Sequence, residues 1–237
     1  MKIKLFTIPN FVTLANLLCG AASIVASLVY HNLEVAFWLV IAAAVCDFLD
    51  GFTARLLKQY SEIGVQLDSL ADMVSFGVAP AAALYMLASQ QPAMYEWNEW
   101  ARAAICFVPF LISGFSALRL AKFNIDTTQH EEFCGLPTPA NAILCNSFAL
   151  VVVMEQLSVE IEWIAMLAVL MSALLVSPIR MFSFKFKSLA LKANIVRYLF
   201  AIFAVVAISL LQIYAIPIII VTYIVVSTLL WIFRRSK

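Results

Sequence analysis

Charge is what this sequence has least of: Asp, Glu, Lys and Arg make up 12% of its 237 residues, about half the share of a soluble domain. Histidine is limited to His31 and His130, in predicted loops on opposite sides, so neither a His-based triad nor a His metal cluster is available. The five cysteines, Cys19, Cys46, Cys106, Cys134 and Cys145, form no C-x-x-C pair. They indicate neither a disulfide framework nor a zinc site and read as small apolar fillers. No glycine-rich phosphate loop, repeat, low-complexity block or polar segment long enough for a soluble domain is present. Lys2 and Lys4 precede the first apolar run without a small-residue cleavage pattern after it, so the N-terminus is expected to stay uncleaved.

What the chain has is apolar length. Hydrophobic residues make up 64% of it, and the mean hydropathy of +0.98 is that of an integral membrane protein. About 20 helical residues cross a hydrocarbon core of ~30 Å. On that length the expectation is an all-α, polytopic transmembrane helix bundle forming one membrane domain over residues 1–237. About eight spans fall near 9–29, 35–56, 65–89, 101–122, 138–155, 162–178, 195–213 and 215–233. Eight spans put Lys2, Lys4, Arg55, Lys58, Arg119, Lys122, Arg180, Lys185, Lys187, Lys192, Arg197, Arg234, Arg235 and Lys237 on one side. Arg102 alone falls on the other. Basic residues gather in cytoplasmic loops, so both termini are expected to face the cytoplasm. The opposite loops, "HNLE", "QQPAMYEWNEW" and "EQLSVEIE", are acidic or aromatic, and the second suits an interfacial aromatic belt.

Against this background, "CDFLDGFTARLLKQYSEIGVQLDSLAD" places Asp47, Asp50, Asp68 and Asp72 beside membrane-crossing runs. Residues three or four apart share a helix face. Asp47, Asp50, Gly51 and Ala54 therefore line one side of the second span, and Gly64, Asp68, Asp72 and Ser75 one side of the third. The short link around "KQYSEI" makes these spans an antiparallel hairpin whose acidic faces are expected to meet. Gly51, Ala54, Gly64 and Ala71 are small enough to let the two backbones approach. Asp47 precedes Arg55 by about 12 Å of helix rise, which puts the cluster in the cytoplasmic half of the membrane.

Each intramembrane Asp costs ~2.5–3.5 kcal/mol on insertion scales, and adjacent like charges disfavour one another's ionised form. Protonation, a basic partner or metal can relieve this. Arg55 is the one nearby base and does not balance four acids. Two Mg²⁺ or Mn²⁺ ions do, and oxygen-only ligand sets suit hard divalent cations. Such a pair clamps the attacking and leaving oxygens of a phosphoryl-type displacement. Structural acids satisfied by protons and packing, or a cation pathway in a transporter, are the other readings. A transporter would spread its acids through the membrane depth, whereas Glu34, Glu155 and Glu160 sit at the far ends.

The run D47-F-L-D50-G51-F-T-A54-R55, then eight residues, then G64-V-Q-L-D68-S-L-A-D72 resembles the D-x2-D-G-x2-A-R-x8-G-x3-D-x3-D signature of the CDP-alcohol phosphotransferases. The resemblance implies the helical bundle of that family, a core over about 5–178, additional C-terminal spans over about 195–233, and a homodimer. By it, Asp47, Asp50 and Asp68 would hold one divalent cation, and Asp47, Asp68 and Asp72 would hold or orient the second. Asp72 would be the general base. Gly51, Ala54, Arg55 and Gly64 would line the site of the CDP-linked donor, with Arg55 against the diphosphate.

"IPN10-FVT13-LANLLCG", "S69-LADMVSFGVAP80", "ALRLAKFN124" and "GLPTPANA" are similar to the bacterial branch of that family that joins CDP-diacylglycerol and L-serine to give phosphatidylserine and CMP. Acceptors such as glycerol phosphate, inositol phosphate or choline are the alternatives within the family. The branch implies a bacterial inner (cytoplasmic) membrane protein with its site facing the cytoplasm. Asn10 and Thr13 share a face where they could meet the nucleotide; a helix-capping role for Asn10 is the plain alternative. Arg119, Lys122 and Asn124 end the fourth span, and Arg119 suits the serine carboxylate because a guanidinium grips it bidentately. Positive-inside placement explains Arg119 and Lys122 equally well. Thr138 and Asn141 follow a proline-shaped turn and are further candidates for the serine pocket. The basic run Arg180–Lys187 suits anionic lipid phosphates. No activated nucleophile is evident, so direct displacement is expected in place of a phosphatidyl-enzyme.

Overall fold

Thr7, Asn32, Ser61 and Asn98 each open a helix by accepting a hydrogen bond from the backbone N–H three residues on, at 3.4, 2.9, 3.0 and 2.8 Å. Those groups are unpartnered at a helix start, which explains why the first four long helices begin where they do. The computed structural model describes residues 5–91, 98–125, 133–182 and 191–235. It is helical throughout apart from one minimal ladder. The helices are α1 (Ile8–Leu28), α2 (Leu33–Leu56), α3 (Glu62–Ser89), α4 (Glu99–Ile125), α5 (Thr138–Met154), α6 (Ile161–Val176), α7 (Leu191–Leu211) and α8 (Ala215–Arg235). In the ladder, β1 (Phe133–Cys134) pairs antiparallel with β2 (Arg180–Met181), Cys134 opposite Arg180.

Among the described residues, five stretches are long and apolar enough to cross a membrane: α1, α2, α3, α4 and the 40-residue Asn194–Phe233. Helices α5 and α6 are apolar but shorter, so length alone supports fewer crossings than the eight expected. The 40-residue stretch is not straight. A 3₁₀ turn over Gln212–Tyr214, with Gln212 at φ 51°, divides α7 from α8. The two fold back until Phe200 and Tyr223 lie ring to ring at 6.1 Å.

Helix α3 is the axis of the bundle. Its second half is enclosed from Phe76 through Ala79, Ala82, Leu84 and Leu87, with α1, α4 and α5 packed around it. It widens into a π segment at Met73–Val78, where Ala79 N–H reaches back to the Val74 carbonyl. Pro80 follows at once; it has no N–H, and its ring would clash with the carbonyl four residues earlier in a regular helix. A π turn relieves both problems, and such turns gather at functional sites. The disturbed ladder is satisfied from α4, since Ser113 Oγ donates to the Gly77 carbonyl at 3.0 Å. Similar polar links tie α1 to its neighbours: Ser23 Oγ to the Ala36 carbonyl and Ser75 Oγ to the Asn16 carbonyl, both 2.9 Å. Small and hydroxylated residues hold helices together in this way where lipid gives no hydrophobic drive between them.

Candidate active site

The first turns of α1, the last turns of α2, the first half of α3 and the end of α4 meet at one end of the bundle. Carboxylate oxygens of Asp47, Asp50 and Asp68 come within 4.8 Å of one another there. Asp72, one turn further along α3, is adjacent to Asp47. Its Oδ1 accepts a 3.1 Å hydrogen bond from Asn16 Nδ2 on α1. Asp50 Oδ2 and Asp68 Oδ1 are buried without a hydrogen-bond partner among the described residues. Buried carboxylate oxygens left open in an all-oxygen cluster fit hard divalent cations. Arg55 does not close the cluster: it is exposed, its Nε donating to the Gly51 carbonyl at 3.0 Å.

The acidic faces share a site, but not by the direct α2–α3 packing that the small residues suggested. Helix α1 lies between, packed on both, and no comparable contact joins α2 to Glu62–Asp72. The close helix crossing is at Gly20, where a Cβ would stand 2.3 Å from Ser75 Oγ and 2.6 Å from Ser75 Cα. A Cβ on Gly51 would meet nothing nearer than the Arg55 guanidinium at 4.0 Å. The glycine beside the aspartates thus leaves open space, and the one that brings backbones together is in α1. Helix α1, packed on both arms, forms a wall beside the carboxylates.

Helix α1 supplies the rest of that wall. Thr13 is buried next to Asp50, and its Oγ1 donates to the Pro9 carbonyl at 3.0 Å. Asn10 is buried, its Nδ2 donates to the Leu5 carbonyl at 2.8 Å, and its Oδ1 faces Gly64. It does not cap the helix; Thr7 does. Gly51, Ala54 and Gly64 are half-buried around the same end.

The residues expected at an acceptor divide. Arg119 is 8% exposed, its Nε has no hydrogen-bond partner among the described residues, and it is near enough to Asp72 for electrostatic interaction. A small pocket lined by Arg119, Lys122, Phe123, Cys134, Leu175 and Val176 opens beside it. Asn124 points elsewhere and donates to Ser69 Oγ at 2.9 Å, tying the end of α4 to α3 beside Asp68. Thr138 and Asn141 are fully enclosed at the start of α5, and Asn141 Nδ2 has no partner among the described residues. His130, Lys185, Lys187 and the aromatic positions Tyr95 and Trp97 lie outside the described residues.

Asn16, bonded to Asp72, is the residue of this cluster that the motif reading passed over. The signal was present: Asn10, Thr13 and Asn16 recur every three residues in a span otherwise apolar, and a polar stripe in a membrane helix must face protein.

Residues 6–173 match the family described as CDP-alcohol phosphatidyltransferase. The chain belongs to that family. Within the CDP-alcohol phosphatidyltransferases it is similar to proteins named CDP-diacylglycerol–serine O-phosphatidyltransferase. The Bacillus subtilis (strain 168) protein is 37% identical over 132 residues, 56% of this chain and 69% of that one. The Helicobacter pylori (strain J99) protein is 38% identical over 142 residues, 59% and 56% respectively. The Methanocaldococcus jannaschii protein is 34% identical over 177 residues, 75% and 74%. Membership makes the protein a transferase of the CDP-alcohol phosphatidyltransferase type, and the acidic cluster agrees with the divalent-metal dependence general in that family.

Proposed function

We propose that this protein transfers the phosphatidyl group from CDP-diacylglycerol to the hydroxyl of L-serine, releasing phosphatidylserine and CMP. The observation that carries the reading is the convergence of Asp47, Asp50 and Asp68 with Asp72 alongside, held by Asn16. Similarity to three relatives that bear this activity in their names supports serine over the other acceptors.

In this reading Asp47, Asp50 and Asp68 hold one divalent cation, and Asp47, Asp68 and Asp72 a second, Mg²⁺ or Mn²⁺. When bound, the pair neutralises the diphosphate and the charge that develops on the leaving phosphate. Asn10, Thr13, Gly51, Ala54, Arg55 and Gly64 line the donor's nucleotide end. Asp72 takes the serine hydroxyl proton, with Asn16 fixing its free oxygen toward the acceptor. The serine oxygen forms a bond to the lipid-linked phosphorus while the bridging P–O bond breaks, and CMP leaves with the bridging oxygen and the electron pair. Arg119 pairs with the serine carboxylate; Lys122, Asn124, Thr138 and Asn141 complete that side.

The topology belongs to the same proposal. A 40-residue stretch is about 60 Å long at the α-helical rise, twice the hydrocarbon thickness. With its turn at Gln212–Tyr214 it makes two crossings, and with α5 and α6 the count is eight. Both termini and the site then face the cytoplasm at the inner membrane of a bacterium, in a single membrane domain that pairs as a homodimer. Size measurement in detergent tests the last point, a monomer refuting it.

Purified protein incubated with CDP-diacylglycerol, Mg²⁺ or Mn²⁺ and each alcohol in turn should release CMP with L-serine alone. Release with glycerol phosphate, inositol phosphate or choline instead would reassign the acceptor, and no release with any would reject the activity. Labelled CMP should not exchange into the donor without serine; exchange would indicate a phosphatidyl-enzyme.

A further inference from the structure

Helices α7 and α8 lie beyond the matched residues 6–173, yet α8 brings Tyr223 near Arg119 and against the segment behind its pocket. Tyr223 of α8 is 9% exposed, and its hydroxyl donates to the Phe182 carbonyl at 2.9 Å. Its ring stands edge-on to Phe182 at 4.8 Å, and Phe182 in turn stands edge-on to Phe200 of α7 at 5.6 Å. Phe182 is the residue after β2, and β2 pairs with β1, where Cys134 lines the Arg119 pocket. Leu175 and Val176, at the end of α6, line the same pocket. Gly135, after β1, is locked there: its φ is +78°, and a Cβ would stand 2.3 Å from the Leu175 carbonyl oxygen. Arg119 is itself near Tyr223.

Gly135 N–H donates to the Ile179 carbonyl and Leu136 N–H to the Leu174 carbonyl, both at 2.9 Å, which ties this wall to the end of α6, and Tyr223 adds a side-chain support from the hairpin. The ladder is two residues long on each strand, and an isolated two-stranded piece is marginal by itself. A buried tyrosine with an aromatic body and a hydrogen-bonded tip can hold it in register. Arg119 and Lys122 both line the pocket, and two cationic side chains suit the carboxylate of a small zwitterion.

Resting on the proposed serine transfer, we propose that the C-terminal hairpin forms the outer support of the acceptor pocket, with Tyr223 as a positioning residue that holds the β1–β2 wall against Arg119 and so sets affinity for the amino-acid carboxylate. The hairpin would thereby tune the acceptor end of a reaction whose donor end is built entirely from α1 to α3.

The test compares wild type with Tyr223→Phe and Tyr214→Phe. Tyr214 is on the same hairpin, but its hydroxyl bonds Glu155 at the turn, away from the pocket. Tyr223→Phe should raise the KM for L-serine about fivefold, the worth of one net hydrogen bond, with kcat and the KM for CDP-diacylglycerol unchanged. Tyr214→Phe should change none of these. A wild-type protein that releases no CMP with serine would reject the transfer reading itself, and a second readout keeps the wall's support testable in that case. Alkylation of Cys134 by a maleimide, followed by peptide mass spectrometry, should be several-fold faster in Tyr223→Phe than in wild type or Tyr214→Phe. Unchanged serine KM in an active protein, equal effects of the two variants, or unchanged Cys134 alkylation would overturn the inference.

Discussion

Helix α3 and the α7–α8 hairpin are both apolar enough to cross a bilayer, yet 72% of an 18-residue length of α3 is buried in protein and 11% of such a length of the hairpin. The difference is not one of hydrophobicity, since the hairpin is the more apolar of the two. Helix α3 carries Asp68, Asp72 and Ser75, and in a bilayer such groups are tolerated only where protein surrounds them. The hairpin turns Ile202, Val205, Leu210, Val221 and Val225 outward and keeps Asn194, Tyr223 and Ser227 inward. The enclosed length of α3 runs from Ala71 onward between α1, α4 and α5, with Asp72 and Ser75 at its start, whereas the hairpin lies at the edge of the bundle.

Four substitutions probe that contrast. Asp72→Asn on α3 should lower kcat by roughly 10²–10⁴, the usual worth of a general base, with CDP-diacylglycerol binding retained; turnover near wild type would remove Asp72 from that role. Asn16→Leu keeps the bulk on α1 but removes the donor to Asp72. CMP release should fall about 10- to 100-fold, as for groups that orient metal ligands. Gly20→Val forces a side chain into Ser75, and overpacking of this kind costs about 1–3 kcal/mol, readable as a lower melting temperature in detergent. Ile202→Ala, at an exposed position on α7, should change stability by less than about 0.5 kcal/mol. A large loss there would mean that the hairpin face is covered by protein and not by lipid.

Much of this was legible in the chain. Apolar run length located the helices, and the starts of α1 to α4 are written in a capping Thr, Asn or Ser. The spacing of Asp47, Asp50, Asp68 and Asp72 announced the cluster because period and face are local properties of a helix. What was not legible was which helix stands between others. Gly51 and Gly64 read as contact glycines, but the same residue type serves open space beside a ligand or close packing, and only the placement of α1 decides. The role of Tyr223 was equally hidden, since it depends on a fold-back that brings residues 182 and 223 together.

Mn²⁺ binding followed by electron paramagnetic resonance on the purified protein addresses the cluster most directly. The wild type should bind Mn²⁺ without any substrate present, and Asp47→Asn and Asp68→Asn should each weaken that binding by at least about tenfold. Equal binding by wild type and both variants, or none by the wild type with or without CDP-diacylglycerol, would contradict the account.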